Sequence, residues 1–267
     1  MSRLSDTFVE LKRARRGGFI PFITTGDPDL VTTELLLVEL AAAGADIIEL
    51  GVPFSDPVAD GAVIQRASER ALRKGVTLSD ALICVSNARK HTDVPVVLFS
   101  YLNPLLRFGR DRLPKEARKA GVDAVLFTDL IPEEATTWNK AFRDQGLDLI
   151  FLVAPTTSDD RLKRIAQEAS GFIYAVSRTG VTGTQDEMPC DAESLVKRVR
   201  AASDLPVAVG FGISKPEQVR QVWRFADAAV IGSAIVSQVE KLAGSPDLVA
   251  RVGEFARSFV ESRSVDQ

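Results

Sequence analysis

The chain has one histidine, His91, and two cysteines, Cys84 and Cys190, far apart among its 267 residues. One histidine and two scattered cysteines cannot build a zinc site of usual spacing, so no metal centre is expected. A Ser-His-Asp or Cys-His mechanism would have to run through His91 alone. So few cysteines suit a reducing compartment and argue against a disulfide scaffold. No run approaches the roughly 18 apolar residues of a spanning helix. The N-terminal stretch MSRLSDTFVELKRARRGG carries charge where a signal peptide needs an apolar core. A soluble, cytoplasmic protein without membrane contact is expected. Cationic charge is not in excess either. Lys and Arg number 33 against 36 Asp and Glu, a net charge of −3 that leaves no footprint for nucleic acid. The cluster Lys12, Arg13, Arg15 and Arg16 reads as the solvated face of an amphipathic helix whose apolar side is Leu4, Phe8 and Leu11. A transit peptide or a polyanion patch is the alternative.

What is plentiful is apolar, β-branched sequence in short runs. Strands are expected near Gly18–Ile23, Asp46–Gly51, Val94–Ser100, Ala124–Phe127, Leu149–Val153, Phe172–Val176, Val207–Gly210 and Ala228–Ile231. They are continuously apolar, as strands covered on both faces should be. Segments of helical periodicity separate them: Leu30–Ala43, Pro114–Ala120, Glu133–Gln145, Asp159–Ala169, Ala192–Ala202, Pro216–Phe225 and Asp247–Ser262. The long gap after the second strand has room for two helices. The lead-ins AAAGADIIEL, RKAGVDAVLF and RFADAAVIG share a helix end, a small-residue turn and an aspartate, the mark of one repeated βα unit. Eight such units over about 250 residues predict an α/β fold, a single-domain (β/α)8 barrel spanning 1–267 with extra N-terminal and connecting helices. A doubly wound open sheet is the alternative, but the segment after the first strand, PFITTGDP, lacks its glycine fingerprint.

Chemistry in such a barrel sits where the strands end. Glu49 lies inside the second strand, between Ile48 and Leu50. A carboxyl there either is a salt-bridged core residue or points into a reactive cavity, where an apolar surround would raise its pKa toward neutrality. Asp60 closes the loop that follows. It either caps a helix beginning near Gly61 or supplies a second carboxylate in a wetter setting, which separates acid from base roles. The loop after the sixth strand, Arg178–Glu187 within SRTGVTGTQ, has a lid's composition. GFGIS and IGSAIV, after the last two strands, offer glycines and a helix starting at Ser233 to a phosphate.

The segments PFITTGDP, ELGVPFSDPVADGAVIQRA, YLNPLLRFG, SRTGVTGT, GFGIS and VIGSAIV resemble, collinearly from about Phe8 to about Phe259, the tryptophan synthase alpha subunit family. The resemblance implies a lyase that cleaves indole-3-glycerol phosphate to indole and glyceraldehyde 3-phosphate. It implies no cofactor in this chain, and an α2β2 complex whose β subunit carries pyridoxal phosphate. Carried over by motif, Glu49 resembles the acid/base that protonates the indole ring, and Asp60 the carboxylate facing the indole N–H. Tyr174 resembles the tyrosine beside the substrate, Tyr101 a pocket-wall residue, and Thr182 the lid residue that meets Asp60 on closure. Gly183, Gly212, Gly232 and Ser233 match phosphate-binding positions. Phe22, Ile64 and Phe211 fit the apolar walls around indole, or plain core packing. Loop Pro53–Asp60 resembles the contact region with the β subunit.

Two other functions stay open. One is an isomerase or synthase on another phosphorylated metabolite; the other is a catalytically silent subunit that only activates a partner. His91 reads as a solvated loop residue away from the chemistry, Cys84 as a buried helix residue, and Cys190 as a free thiol without a catalytic role.

Overall fold

The computed structural model describes residues 2–176, 190–210 and 212–261. Eight strands run β1 (Gly18–Thr24), β2 (Ile48–Gly51), β3 (Val96–Ser100), β4 (Ala124–Phe127), β5 (Asp148–Val153), β6 (Ile173–Val176), β7 (Val207–Gly210) and β8 (Ala228–Ile231). All are parallel, each pairs with its sequence neighbour, and β8 pairs back onto β1. That closed order is the (β/α)8 barrel expected, and it removes the open sheet as an alternative.

Helices α1 (Arg3–Arg13), α2 (Leu30–Ala42), α3 (Ala62–Arg73), α4 (Leu78–Ala88), α5 (Leu102–Phe108) and α6 (Leu113–Ala120) belong to the first half. The second half carries α7 (Pro132–Arg143), α8 (Asp159–Glu168), α9 (Cys190–Ala202), α10 (Pro216–Trp223), α11 (Ser233–Leu242) and α12 (Leu248–Glu261). The gap after β2 does hold two helices, α3 and α4. Short α5 was not anticipated, because its sequence LNPLLRF has a proline inside and no apolar face long enough to show a period.

Alternation along the strands sorts the core into two shells. Phe19, Ile23, Ile48, Leu50, Val96 and Leu98 face outward to the helices. Ile20, Val97, Ala124, Leu126, Ile150 and Ala208 fill the barrel. The N-terminal end of the barrel is plugged by α1, whose buried residues are the predicted Leu4, Phe8 and Leu11. The Phe8 and Phe172 rings meet there at 5.6 Å. His91 is exposed after α4, and Cys84 is buried on α4, both as expected.

The aspartate of the repeated lead-in has a structural purpose. Asp46 donates its N–H to the Phe19 carbonyl (2.9 Å) and accepts the Phe19 N–H on its carboxylate (2.8 Å). Asp123 repeats this with Val96 at 3.0 and 2.9 Å, and Asp227 with Val207 at 2.9 and 2.8 Å. Each aspartate thus clasps the first residues of the preceding strand. Arginines close the clasps: Arg16 on Asp46, Arg89 and Arg3 on Asp123, Arg200 on Asp227.

Candidate active site

Glu49 alternates with outward-facing Ile48 and Leu50, so it projects into the barrel. In register it lies beside Phe22 of β1 and Val97 of β3. It is 1 % exposed, and its Oε1 has no hydrogen-bond partner among the described residues. No salt bridge reaches it among the described residues, which disfavours the salt-bridged reading. Burial alone pushes its pKa from 4.5 to about 8. At neutral pH the group is therefore a carboxylic acid with a proton to give.

Asp60 does not cap α3. The N-cap is Gly61, without a side-chain cap bond, and the Asp60 carboxylate turns instead to the Tyr101 hydroxyl. That hydroxyl also accepts the Ala59 N–H at 2.9 Å, so one phenol, at the start of α5, holds the end of the β2–α3 loop. Burial raises Asp60 to about 6, and the Tyr101 hydrogen bond opposes the rise. At pH 7 Asp60 is mostly ionised while Glu49 is mostly protonated: two carboxyl groups driven into opposite roles by their surroundings. Tyr174 on β6 lies within the field of both, and burial first, then Glu49 and Asp60, lift its pKa well above 10. Gly210 at the end of β7 makes room for it, since a side chain there would overlap the Tyr174 ring and hydroxyl.

A second corner of the mouth presents a helix N-terminus and glycines. Helix α11 starts at Ser233 behind Gly232, with no side-chain cap and no acid in its first turn. Its leading amides therefore keep free donors and a positive dipole end. Gly212, after β7, holds φ +74°, a conformation that favours glycine. Phe22, Ala67 and Val236 form a small apolar cluster with Ile64 and Phe99 packed on it, and Gly232 borders Ile64 and Phe22. The Phe22 and Phe99 rings meet edge to face at 5.4 Å. An ion network fastens the two corners. Arg70 of α3 grips Asp27 with two bonds of 2.8 Å and reaches Glu240 of α11 at 2.6 Å, while Arg66 holds Glu240 at 2.8 and 2.7 Å.

Of the predicted residues, Glu49, Asp60, Tyr101 and Tyr174 form one cluster, and Phe22, Ile64, Gly232 and Ser233 line the adjoining corner with Gly212 nearby in sequence after β7. Thr182, Gly183 and Phe211, with the segment Arg178–Glu187, lie outside the described residues, as does the Cys190 side chain. Two features were not legible in sequence. The Tyr101 bond to Asp60 joins positions far apart in the chain. Thr24, buried at the end of β1, carries a hydroxyl without a hydrogen-bond partner among the described residues. The only signal for Thr24 was a polar side chain closing an otherwise apolar strand.

A barrel with a protonated carboxyl and an ionised one at its mouth, beside an uncapped helix after β8, fits many enzymes, and comparison with known proteins narrows it. The family model for the tryptophan synthase alpha chain matches residues 8–263. The chain belongs to that family. The tryptophan synthase alpha chain of Citrifermentans bemidjiense is 50 % identical over 259 residues, covering 97 % of both chains. That of Geobacter sulfurreducens is 47 % identical over 262 residues, covering 98 % of this chain and 97 % of the relative. Among solved structures, the Legionella pneumophila alpha subunit superposes with a TM-score of 0.91 at 37 % identity over 98 % of each chain. A chain from the Pyrococcus furiosus tryptophan synthase α2β2 complex gives 0.86 at 38 % identity, over 92 % of this chain and 98 % of that one. Membership of the tryptophan synthase alpha chain family disfavours the reading as an isomerase of another metabolite.

Proposed function

We propose that the barrel mouth cleaves indole-3-glycerol phosphate to indole and glyceraldehyde 3-phosphate by a retro-aldol reaction, the lyase half-reaction of tryptophan synthase. The observation that carries this is the Glu49 carboxyl, buried, without a partner at Oε1 among the described residues and protonated at neutral pH, beside an ionised Asp60. Glu49 gives its proton to the indole carbon that bears the glycerol chain. Asp60 accepts the indole N–H and stabilises the positive charge spread over the ring. The Glu49 carboxylate then takes the proton of the adjacent chain hydroxyl. That oxygen closes to the aldehyde, the carbon–carbon bond breaks, and its electrons return to the ring. Tyr101 orients Asp60. Tyr174, Phe22, Ile64 and Phe211 enclose the ring system, and Gly183, Gly212, Gly232 and Ser233 hold the phosphate with backbone amides. Thr182 meets Asp60 when the lid closes and water is excluded.

The partner is a tryptophan synthase β subunit, in an α2β2 assembly whose β subunit carries pyridoxal phosphate, working in the cytoplasm. In this reading the chain acts as one domain over residues 1–267. Support comes from the surface beside the mouth: Val58 is 89 % exposed, and Leu106 and Ile131 are exposed as well. Because the Ala59 N–H and Asp60 share the Tyr101 hydroxyl, pressure on loop Pro53–Asp60 bears directly on a reacting group. The test incubates the purified chain with indole-3-glycerol phosphate and follows indole release with and without β subunit. Slow release, accelerated by the partner and reduced roughly 10²–10⁴-fold in Glu49→Gln and Asp60→Asn, is expected. A Glu49→Gln chain that keeps more than about a tenth of the parent kcat would overturn the assignment. Full partner activation without any indole release would instead mark a silent activating subunit.

A further inference from the structure

At the opposite end of the barrel, where β1, β7 and β8 begin, lies a cavity of about 610 Å³. That is the size of a small-molecule site. Its apolar wall includes Leu205, Pro206, Trp223 and Phe225, and its rim carries Lys12, Arg15, Arg16, Arg200 and Arg224. Asp204 and Asp227 also line it, and Asp46 stands behind Arg16. Five cations against three carboxylates leave a positive surplus of two, in a chain whose net charge is −3.

The cations fall into two kinds. Arg16 and Arg200 are pre-oriented by Asp46 (2.7 Å) and Asp227 (3.2 Å), carboxylates already fixed on strand backbone. Lys12, Arg15 and Arg224 have no carboxylate partner among the described residues and remain exposed, with their donors available. Arg15 is placed there against local preference. After α1 the Arg15 N–H bonds the Lys12 carbonyl (3.2 Å) and the Arg16 N–H bonds the Leu11 carbonyl (3.1 Å). That pair of bonds closes a Schellman turn, whose left-handed position ordinarily belongs to glycine. Here it holds Arg15 at φ +52°. A non-glycine residue kept in that conformation costs stability and points to a use for its side chain. The aromatic wall is fixed as well. Trp223 donates its indole N–H to the Gly18 carbonyl at 2.9 Å, and its ring lies so close over Gly17 that no side chain fits between them.

We propose that this cavity is a second binding site, for an organic phosphate: a flat apolar ring against Trp223 and Phe225, carrying a multiply charged phosphate held by the arginine forks. Guanidinium groups match phosphate geometry in a way that a scattered surface charge does not. The site is separate from the mouth and independent of the chemistry there.

Calorimetry on the full chain tests this, with ADP, pyrophosphate and adenosine as probes and saturating glycerol 3-phosphate present to fill the mouth. ADP is expected to bind at one site, more tightly than pyrophosphate (charge without ring) or adenosine (ring without charge), and more weakly as salt rises. Arg15→Gly keeps the turn, indeed relaxes it, and Arg224→Gln keeps an exposed polar side chain. Each should weaken ADP about tenfold, and both together more, while indole release without ADP stays at the parent rate. No binding of ADP at millimolar concentration overturns the proposal. So does ADP binding that the double variant leaves unchanged, since the nucleotide would then sit elsewhere.

Discussion

Replacing Glu49 by glutamine should make the protein inactive, and its stability relative to the parent should rise with pH. Glu49 titrates at about 8 in the folded chain against 4.5 when exposed. Below pH 4.5 both folded and unfolded chains hold the proton, and the group contributes nothing to their difference. As pH rises from 4.5 toward 8, the unfolded chain ionises and the folded chain does not. The unfolded state then binds fewer protons than the folded one, so stability falls with rising pH. At 1.36 kcal/mol per pH unit, the loss is under about 1 kcal/mol at pH 5, about 3 at pH 7 and a little over 4 at pH 8. A glutamine has no proton to lose. It introduces a buried amide with its own cost, but that cost is independent of pH and cancels when two pH values are compared. Urea unfolding of parent and Glu49→Gln at pH 5 and pH 8 should show the variant gaining about 3–4 kcal/mol relative to the parent between them. Asp60, also raised, is common to both proteins and drops out. An unchanged difference between the two pH values would mean that Glu49 is not a neutral acid in the fold, and the assignment of its proton would fall with it.

The rate of indole release should be bell-shaped in pH, failing below about 6 as Asp60 protonates and above about 8 as Glu49 ionises. In Tyr101→Phe the acid limb should move to higher pH, because the hydrogen bond that lowers Asp60 is gone; an unmoved limb would disconnect Tyr101 from Asp60. Gly212→Val forces a branched side chain into φ +74° at the phosphate corner and should nearly abolish binding of a phosphate analogue, whereas Ser233→Ala, which spares the backbone amides, should weaken it only modestly. Equal, slight effects in titration calorimetry would argue for a different anchor. Arg70→Met leaves buried Asp27 without its bidentate partner and should cost about 3 kcal/mol in unfolding experiments, with Arg70→Lys restoring only part, since an ammonium cannot reproduce two parallel bonds.

Much of this was legible in the order of residues, for identifiable reasons. Strands covered on both faces write themselves as unbroken apolar runs, so β4, β7 and β8 match their expected bounds residue for residue. At two of the strands whose expected bounds slip, a specific backbone group is responsible. The third strand was expected from Val94, but Pro95 has no N–H to give and the ladder opens at Val96. The second was expected from Asp46, whose backbone is engaged in its clasp with Phe19. Within the site, Glu49 was conspicuous because a carboxyl between Ile48 and Leu50 is costly unless it serves a purpose. Whether it was salt-bridged could not be read locally, because its partners would come from other strands. For the same reason Asp60 read equally as a cap. Its attachment to Tyr101 depends on how the β2–α3 loop folds over the start of α5, and no local pattern encodes that.

The clasps of Asp46, Asp123 and Asp227 bear on how the barrel avoids mistakes. A parallel strand with apolar residues on both faces says little about its own alignment, since sliding it along a neighbour exchanges one aliphatic side chain for another. Each clasp supplies the missing landmark. A strand displaced by one residue loses both bonds of its clasp at once, and in the case of Asp123, which is 2 % exposed, leaves a carboxylate shut away from water. At these three strands misalignment is therefore punished at the foot of the sheet, before all eight have closed. With these strands aligned below, the upper rim is free to hold what a self-sufficient core would reject: an acid and a hydroxyl with no partner among the described residues, and a helix end without a cap.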